Sequence, residues 1–485
     1  MPPSAPVPVT GTTPATTTPP APSLATRAFR RWTIAVTVYI AAVFNRTSLG
    51  VAGLQAARRL GITPAQLSVF VLVQLGVYAA MQVPTGVLVD RYGPRRLLVA
   101  AAATMAVAQL AFALTRSYPA ALLARGVLGC GDALTFVSVV RVAAQDFPRH
   151  RFPLAVSVTS MLGMAGNLAA TIPLTLLLRS AGWTVSFAGT GLVTLTTGLA
   201  VWVLLPATAP RPGAATRPVR RPARALLASP SRLTVLVWPA GRTLRRVRGA
   251  WRSPGTRLGF WVHFSCMSMA TMFAVLWGLP YLVRQGFTEA GASAVLLVCV
   301  LAAIVACPVI GAVFGRYPAA RVPFALSVCL LTVAGWAVLL GCFGGRPPHP
   351  LIVAVVAVAA VGGPASTIGF PLARDYNPPA MVGTATGVVN VGGFTSTIIV
   401  SLLVGGTLGL TGPGGAGYRL AFCGAVAVEL FGTAQAVRWW LRVRGLLLGA
   451  QSRGEPVPVP VVQHPFDRIR TGPVQADPVL LDRMS

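Results

Sequence analysis

The chain has 485 residues, of which 54% are hydrophobic and only 10% charged. Soluble domains carry about a quarter charged residues; the mean hydropathy of +0.70 and the many windows above the ~20 apolar residues that cross a bilayer exclude a water-soluble globular protein. The net charge of +30 does not indicate nucleic acid as a partner, because the basic residues lie in short loops and tails between apolar spans, not on a polar fold with aromatic readers among them.

Residues 1–31 form a Pro/Thr-rich tail, and the composition of residues 1–25 predicts disorder. An N-terminal half, 32–205, then holds six predicted spans at 33–54, 66–88, 97–115, 119–142, 153–178 and 182–205. Residues 206–257 carry twelve arginines, many prolines and no acidic residue, and are read as a linker between halves. Within it, Ala223–Arg248 is either a basic amphipathic piece on the lipid surface or a flexible loop. The C-terminal half, 258–441, gives six more spans at 258–283, 290–313, 321–342, 350–373, 382–408 and 418–441, followed by a polar tail, 442–485. The fold expected is all-α, twelve transmembrane helices in two six-helix halves. The N-tail, the loops on its side, the linker and the C-tail hold most of the forty arginines, whereas the opposite loops hold seven. This bias predicts both termini in the cytoplasm and a multi-pass protein of the cell membrane.

The string GVLVDRYGPRR, Gly86–Arg96, lies between the second and third spans and recurs 225 residues later as GAVFGRYPAAR, Gly311–Arg321. Gly86 maps to Gly311, Arg91 to Arg316 and Arg96 to Arg321, but Asp90 maps to Gly315. A repeat of that period in an apolar chain implies two related membrane halves, the architecture of a carrier. Gly86 allows close helix approach, Gly93 a sharp turn with positive φ, and Asp90 a charge able to meet a helix N-terminus or an arginine. Arg91, Arg95 and Arg96 complete the string. The seven cysteines lie in or beside apolar spans without CxxC spacing, so no zinc site or disulfide framework is expected.

On these residues the chain resembles the major facilitator superfamily of secondary transporters, whose loop between spans 2 and 3 reads roughly G-x-x-x-D-R-x-G-x-R-R. The resemblance covers about residues 30–442. It implies that Gly86, Asp90, Arg91, Gly93, Arg95 and Arg96 form a latch closing the cytoplasmic face, and that spans 1, 4, 7 and 10 line a central cavity. In span 4, Arg125, Gly129 and Gly131 match the pattern R-x-x-x-G-x-G. The resemblance links this arginine to proton coupling and the glycines to helix packing; the alternative is an Arg125 that snorkels to the outer interface. The span-5 pattern G-x-x-x-G-P-x-x-G-G of drug/proton antiporters is absent. Asn167 and Asn390 form a second repeat-related pair, loosely similar to nitrate carriers, whose paired arginines are missing here.

Ionisable groups inside a bilayer cost roughly 2.5–3.5 kcal/mol each on insertion scales and mark function. Arg46, beside Asn45 in span 1, and Arg125, Asp132 and Arg141 in span 4 are the cavity candidates, with His263 of span 7. Arg125 and Asp132 are two turns apart and share a helix face; Arg141 is out of phase with them. Asp132 is a candidate proton carrier and Arg46 a candidate for a substrate carboxylate or phosphate, unless the two form a structural ion pair without ligand. Glu429 in span 12 is read as either a structural partner or a protonated group facing lipid. The function expected is a secondary transporter of a small organic solute by alternating access, acting as a monomer and driven by a proton or ion gradient without cofactor. The alternatives are an efflux antiporter, or a receptor or sensor on a carrier fold. No metal-ligand or nucleophile constellation indicates an enzyme.

Overall fold

The computed structural model describes residues 24–206, 240–343, 346–412, 414–459 and 461. The described residues are helical apart from turns and short connections, and contain no strand. The first half consists of α1 (Leu24–Leu60), α2 (Pro64–Tyr92), α3 (Pro94–Leu114), α4 (Tyr118–Asp146), α5 (Phe152–Ser180) and α6 (Gly182–Leu204). A short helix, α7 (Ala240–Arg252), precedes the second half. That half contains α8 (Pro254–Met272), a π turn (Phe273–Trp277), α9 (Gly278–Arg284), α10 (Glu289–Arg316), α11 (Arg321–Gly341), α12 (His349–Ser366), α13 (Gly369–Asp375), α14 (Val382–Thr411) and α15 (Gly415–Ser452).

Local sequence places the ends. Proline stands in the first turn of α2, α3, α4, α5 and α8, where its missing N–H is unused by the helix. Thr63 caps α2 in a reciprocal box with Gln66. Gly93 turns the chain from α2 into α3 with φ 80°. Among the described residues ten helical segments are long and apolar enough to cross a bilayer. The other two expected spans fall on α5 and on the α8–α9 segment, which its π turn interrupts ahead of Gly278 and Pro280.

Three predicted boundaries move. The tail drawn as 1–31 is helical from Leu24, because Arg31 pairs with Asp146 at 3.2 Å and the Trp32 indole donates to Thr159 at 3.0 Å. In the linker drawn as 206–257, residues 240–252 form α7, whose Ala250 is fully buried, and 254–257 already belong to α8. Residues 223–239 of the suggested amphipathic segment lie outside the described residues. The tail drawn from 442 begins inside α15, which runs to Ser452 because Val443, Leu447 and Leu448 are buried.

The halves meet along two seams, α2 against α14 and α10 against α5. Glycines permit both. A Cβ on Gly86 would stand 2.5 Å from the Gly383 carbonyl oxygen, and one on Gly387 would stand 2.4 Å from that of Gln82. In the second seam, a Cβ on Gly311 would lie 2.7 Å from Leu154 Cα. Thus Gly86 and its repeat mate Gly311 do the same job on opposite sides of the molecule. The apolar interior follows this closure. At the arginine-rich end one cluster joins Phe136, Val140 and Phe152 of the first half to Phe370, Ala385 and Val389 of the second. At the opposite end each half keeps its own cluster, around Phe112 and Phe187 in one and Phe273 and Trp336 in the other.

The unequal repeat has a steric cause. At Gly315 a Cβ would lie 2.1 Å from the His150 carbonyl oxygen, so no side chain fits where Asp90 stands in the first copy. Gly315→Asp, which restores the repeat on paper, is expected to destabilise the closed seam by about 1–3 kcal/mol through overpacking. A lowered melting midpoint for the purified protein checks this.

Candidate functional site

The first polar centre lies at the arginine-rich end. Asp90, in the last turn of α2, accepts from the Gly383 N–H at 2.9 Å, the Thr384 N–H at 2.7 Å and the Thr384 hydroxyl at 2.8 Å. Those donors open α14, so the carboxylate caps a helix of the other half where unpaired N–H groups gather. Arg141 Nε is 3.5 Å from Asp90 Oδ1. This corrects the expectation for Arg141. It belongs to the seam and not to the cavity, because its turn of α4 lies level with Asp90. Arg374 adds another cross-half bond, donating to the Phe147 carbonyl at 2.7 Å. Arg95 lies over the Trp202 ring and Arg91 over Tyr92, while Arg96 is exposed.

The second centre is at mid-depth. Arg46 and Asp132 form a two-pronged ion pair, Nε to Oδ2 at 2.7 Å and Nη2 to Oδ1 at 2.8 Å. Asp132 is 0% exposed, whereas the Arg46 side chain keeps 29% of its surface. The guanidinium sits 4.5 Å from the centre of the Tyr78 ring. Asn390 of α14 donates to Gln82 of α2 at 2.7 Å, and the Tyr78 ring meets Phe394 edge-on at 4.7 Å. The ion pair therefore reaches the other half through Tyr78, whose ring lies between the Arg46 guanidinium and Phe394.

Arg125 does not snorkel, and it does not line the cavity. It is fully buried inside the first half, its Nη1 donating to the Asn45 carbonyl at 3.3 Å and its guanidinium 3.9 Å from the centre of the Phe112 ring. Arg125 and Asp132 do share a face, since both reach α1. The Asn45 amide donates to Thr194 at 2.7 Å and its carbonyl accepts from Gln109 at 2.9 Å. Gly129 packs on the Gln74 carbonyl and Gly131 on Met105 and Ala101, so the two glycines let α4 approach α2 and α3. His263 is buried: its Nδ1 is 2.9 Å from the Ser366 carbonyl and its ring lies against Phe370. Asn167 accepts from Thr47 within the first half, whereas Asn390 bridges the halves, so the repeat-related pair has unequal roles. Glu429 is buried with Oε2 lacking a hydrogen-bond partner.

Tyr78 and Gln82 escaped sequence reading, although a signal exists. Gln74, Tyr78, Gln82, Gly86 and Asp90 recur at every fourth position of one apolar helix. That spacing lays one continuous stripe along α2, and the stripe is the inter-half face. Among the described residues no group of three or more His, Cys, Asp or Glu is placed to hold a metal.

Two pseudo-equivalent apolar helical halves, joined at one end and holding a buried ion pair at mid-depth, define a multi-pass membrane transporter. The sequence profile of the Major Facilitator Superfamily matches residues 35–344, and the chain belongs to that superfamily. It is similar to the probable sulfoacetate transporter SauU of Cupriavidus necator, 28% identical over 159 residues that cover 33% of this chain and 37% of that protein. It is also similar to the probable galactarate/D-glucarate transporter GarP of Escherichia coli K12, 24% identical over 402 residues, 77% of this chain and 87% of that protein. A shorter match, 30% over 87 residues, is to the human solute carrier family 2, facilitated glucose transporter member 12, and covers 18% of this chain and 14% of that protein.

Asp90→Ala removes three hydrogen-bond acceptances and strands Arg141. The closed seam is expected to lose about 3 kcal/mol, read as faster hydrogen–deuterium exchange across residues 382–390. Unchanged exchange there would show that the carboxylate does not hold the seam.

Proposed function

We propose that this transporter carries a small organic anion together with protons, with Arg46 as the anion-binding group and Asp132 as the proton-binding group. The observation that supports this reading is the pairing of a partly exposed Arg46 with a fully buried Asp132. A carboxylate or sulfonate can take the fork of Arg46 only by displacing Asp132. Removing one partner from a buried pair costs about 3–5 kcal/mol, because the other charge is left alone in a low dielectric. Protonating Asp132 removes that charge. Anion and proton then enter together, and the coupling follows from electrostatics. The relatives' names, sulfoacetate and galactarate/D-glucarate, are those of small organic acids, which supports an anionic cargo.

The arginine-rich end faces the cytoplasm in this reading, by the positive-inside bias of its loops. The structure is then the state closed to the cytoplasm. Asp90, Gly86 and Gly383 hold that closure, and Arg46 faces the opposite side. Alternating access separates the seams at this end while the halves close over Arg46 at the other. The six-helix halves complete the pathway within one chain, and the carrier works as a monomer without cofactor.

Sulfoacetate and D-glucarate are the probes for both site residues, with purified protein in proteoliposomes. Arg46→Ala is expected to weaken anion binding by roughly a hundredfold, the loss of a charge-assisted bidentate contact. Since this variant also strands Asp132, the pair Arg46→Gln with Asp132→Asn serves as a folded control that still fails to bind. Retained affinity in either protein would rule out Arg46 as the anion group.

Asp132→Asn keeps the shape of a neutral acid but holds no exchangeable proton. Binding of the anion is expected to become independent of pH, whereas the unmodified protein binds more weakly as pH rises and Asp132 reclaims Arg46. Anion exchange across the membrane should persist and flux driven by a pH gradient should vanish. Gradient-driven flux at normal rate in Asp132→Asn would remove Asp132 from the coupling.

A further inference from the structure

The outer surface where α8 meets α15 carries a feature that transport does not use. Arg257, in the first turn of α8, places its guanidinium 4.7 Å from the centre of the Trp439 ring and 5.5 Å from that of Trp251. Its Nε donates to the Trp251 carbonyl at 2.6 Å. Arg442 approaches the same Trp439 ring at 5.4 Å. Two like charges thus share one aromatic ring, and neither forms an ion pair with a carboxylate among the described residues. Asp90, Asp132, Asp146, Asp375 and Glu455 are paired elsewhere. Glu429 lies 13 residues before Arg442 on α15, about 20 Å away along the axis. Ring faces relieve the repulsion only in part, and among the described residues no carboxylate neutralises the pair.

What lies beside the pair tells what kind of anion fits. Trp261 follows Arg257 by one helical turn on the same face, and its ring meets Phe431 of α15 at 5.6 Å. Phe431 is 55% exposed on a helix long and apolar enough to span a bilayer. Arg442 follows Phe431 by three turns, so both occupy one side of α15 about 16 Å apart. That distance is about half of a ~30 Å hydrocarbon layer. A double cation at the interface, continued inward by an exposed aromatic rail, matches an ionic head with a hydrocarbon chain and not a soluble anion.

We propose that Arg257 and Arg442, both against the Trp439 ring, hold the phosphate of an anionic phospholipid whose acyl chain lies along Trp261 and Phe431. Through Trp251 the same site holds the end of α7, so the lipid braces the helix that precedes the second half.

The test uses full-length purified protein in neutral detergent, titrated with dioleoylphosphatidylglycerol, dioleoylphosphatidylcholine or sn-glycerol 3-phosphate, with the thermal melting midpoint as readout. Each arginine at a lipid surface favours an anionic head by roughly fivefold. Half-saturation by phosphatidylglycerol is therefore expected at a concentration about twentyfold below that of phosphatidylcholine. The preference should disappear in R257Q/R442Q and survive in R257K/R442K. Arg442 is exposed, so R442Q alone folds and should lose about fivefold if the double variant does not fold. Glycerol phosphate should give no shift. An unchanged phosphatidylglycerol preference in R442Q overturns the proposal, as does an equal shift from glycerol phosphate, which would mark a soluble-anion site.

Discussion

The whole architecture depends on how closely α2 and α14 approach. Three glycines, Gly86, Gly383 and Gly387, remove the side chains that would hold the two backbones apart. Only then does the Asp90 carboxylate reach the first N–H groups of α14. The bond is a charge on a helix terminus in a partly buried setting, which makes it directional and strong for a single contact. Everything above it follows: Gln82 meets Asn390 about two turns deeper, and Tyr78 meets Phe394 one turn beyond that.

The same stripe on α2 connects the closed end to the ion pair. Asp90 lies at one end and Tyr78 at mid-depth, where its ring receives the Arg46 guanidinium. A change at Arg46 is thus three helical turns from the seam, along a helix whose face is the seam. This gives the ion pair and the seam a shared rigid element. The two seams differ chemically, however. The α2–α14 seam is held by a carboxylate on a helix terminus. In the α5–α10 seam Gly315 is packed against the His150 carbonyl with no room for an acid, and Gly311 supplies the close approach. One side of the molecule has a polar clasp and the other a steric fit.

Much was legible in the sequence, for reasons that can be traced. The period of 225 residues and the glycine at both copies foretold two equivalent close approaches, and Gly86 and Gly311 make them. Asp90 at a helix end announced a partner with N–H groups or positive charge, and it has both. Arg125 and Asp132 two turns apart were read onto one face, and both reach α1. Three assignments failed for one shared reason. Arg141, Arg125 and His263 were placed by their depth in a span, but depth does not say which neighbour the side chain faces. Arg141 faces Asp90, Arg125 is enclosed by Phe112 and Phe187, and His263 turns to the Ser366 carbonyl.

The sequence by itself determined the apolar helices, their division into two halves, the side on which arginine gathers and the residues able to carry charge inside the bilayer. These depend on composition, period and local backbone chemistry, all of which act within a few turns of one helix. Only the tertiary structure decided that Asp132 belongs to Arg46, that Asp90 belongs to α14, and that Tyr78 and Gln82 line the contact between halves. Those pairings join residues 86 to 316 positions apart. A helix specifies the direction of each side chain along its own axis, but its partner is set by how helices from distant parts of the chain pack. Here that packing is decided by where glycine lets two backbones touch.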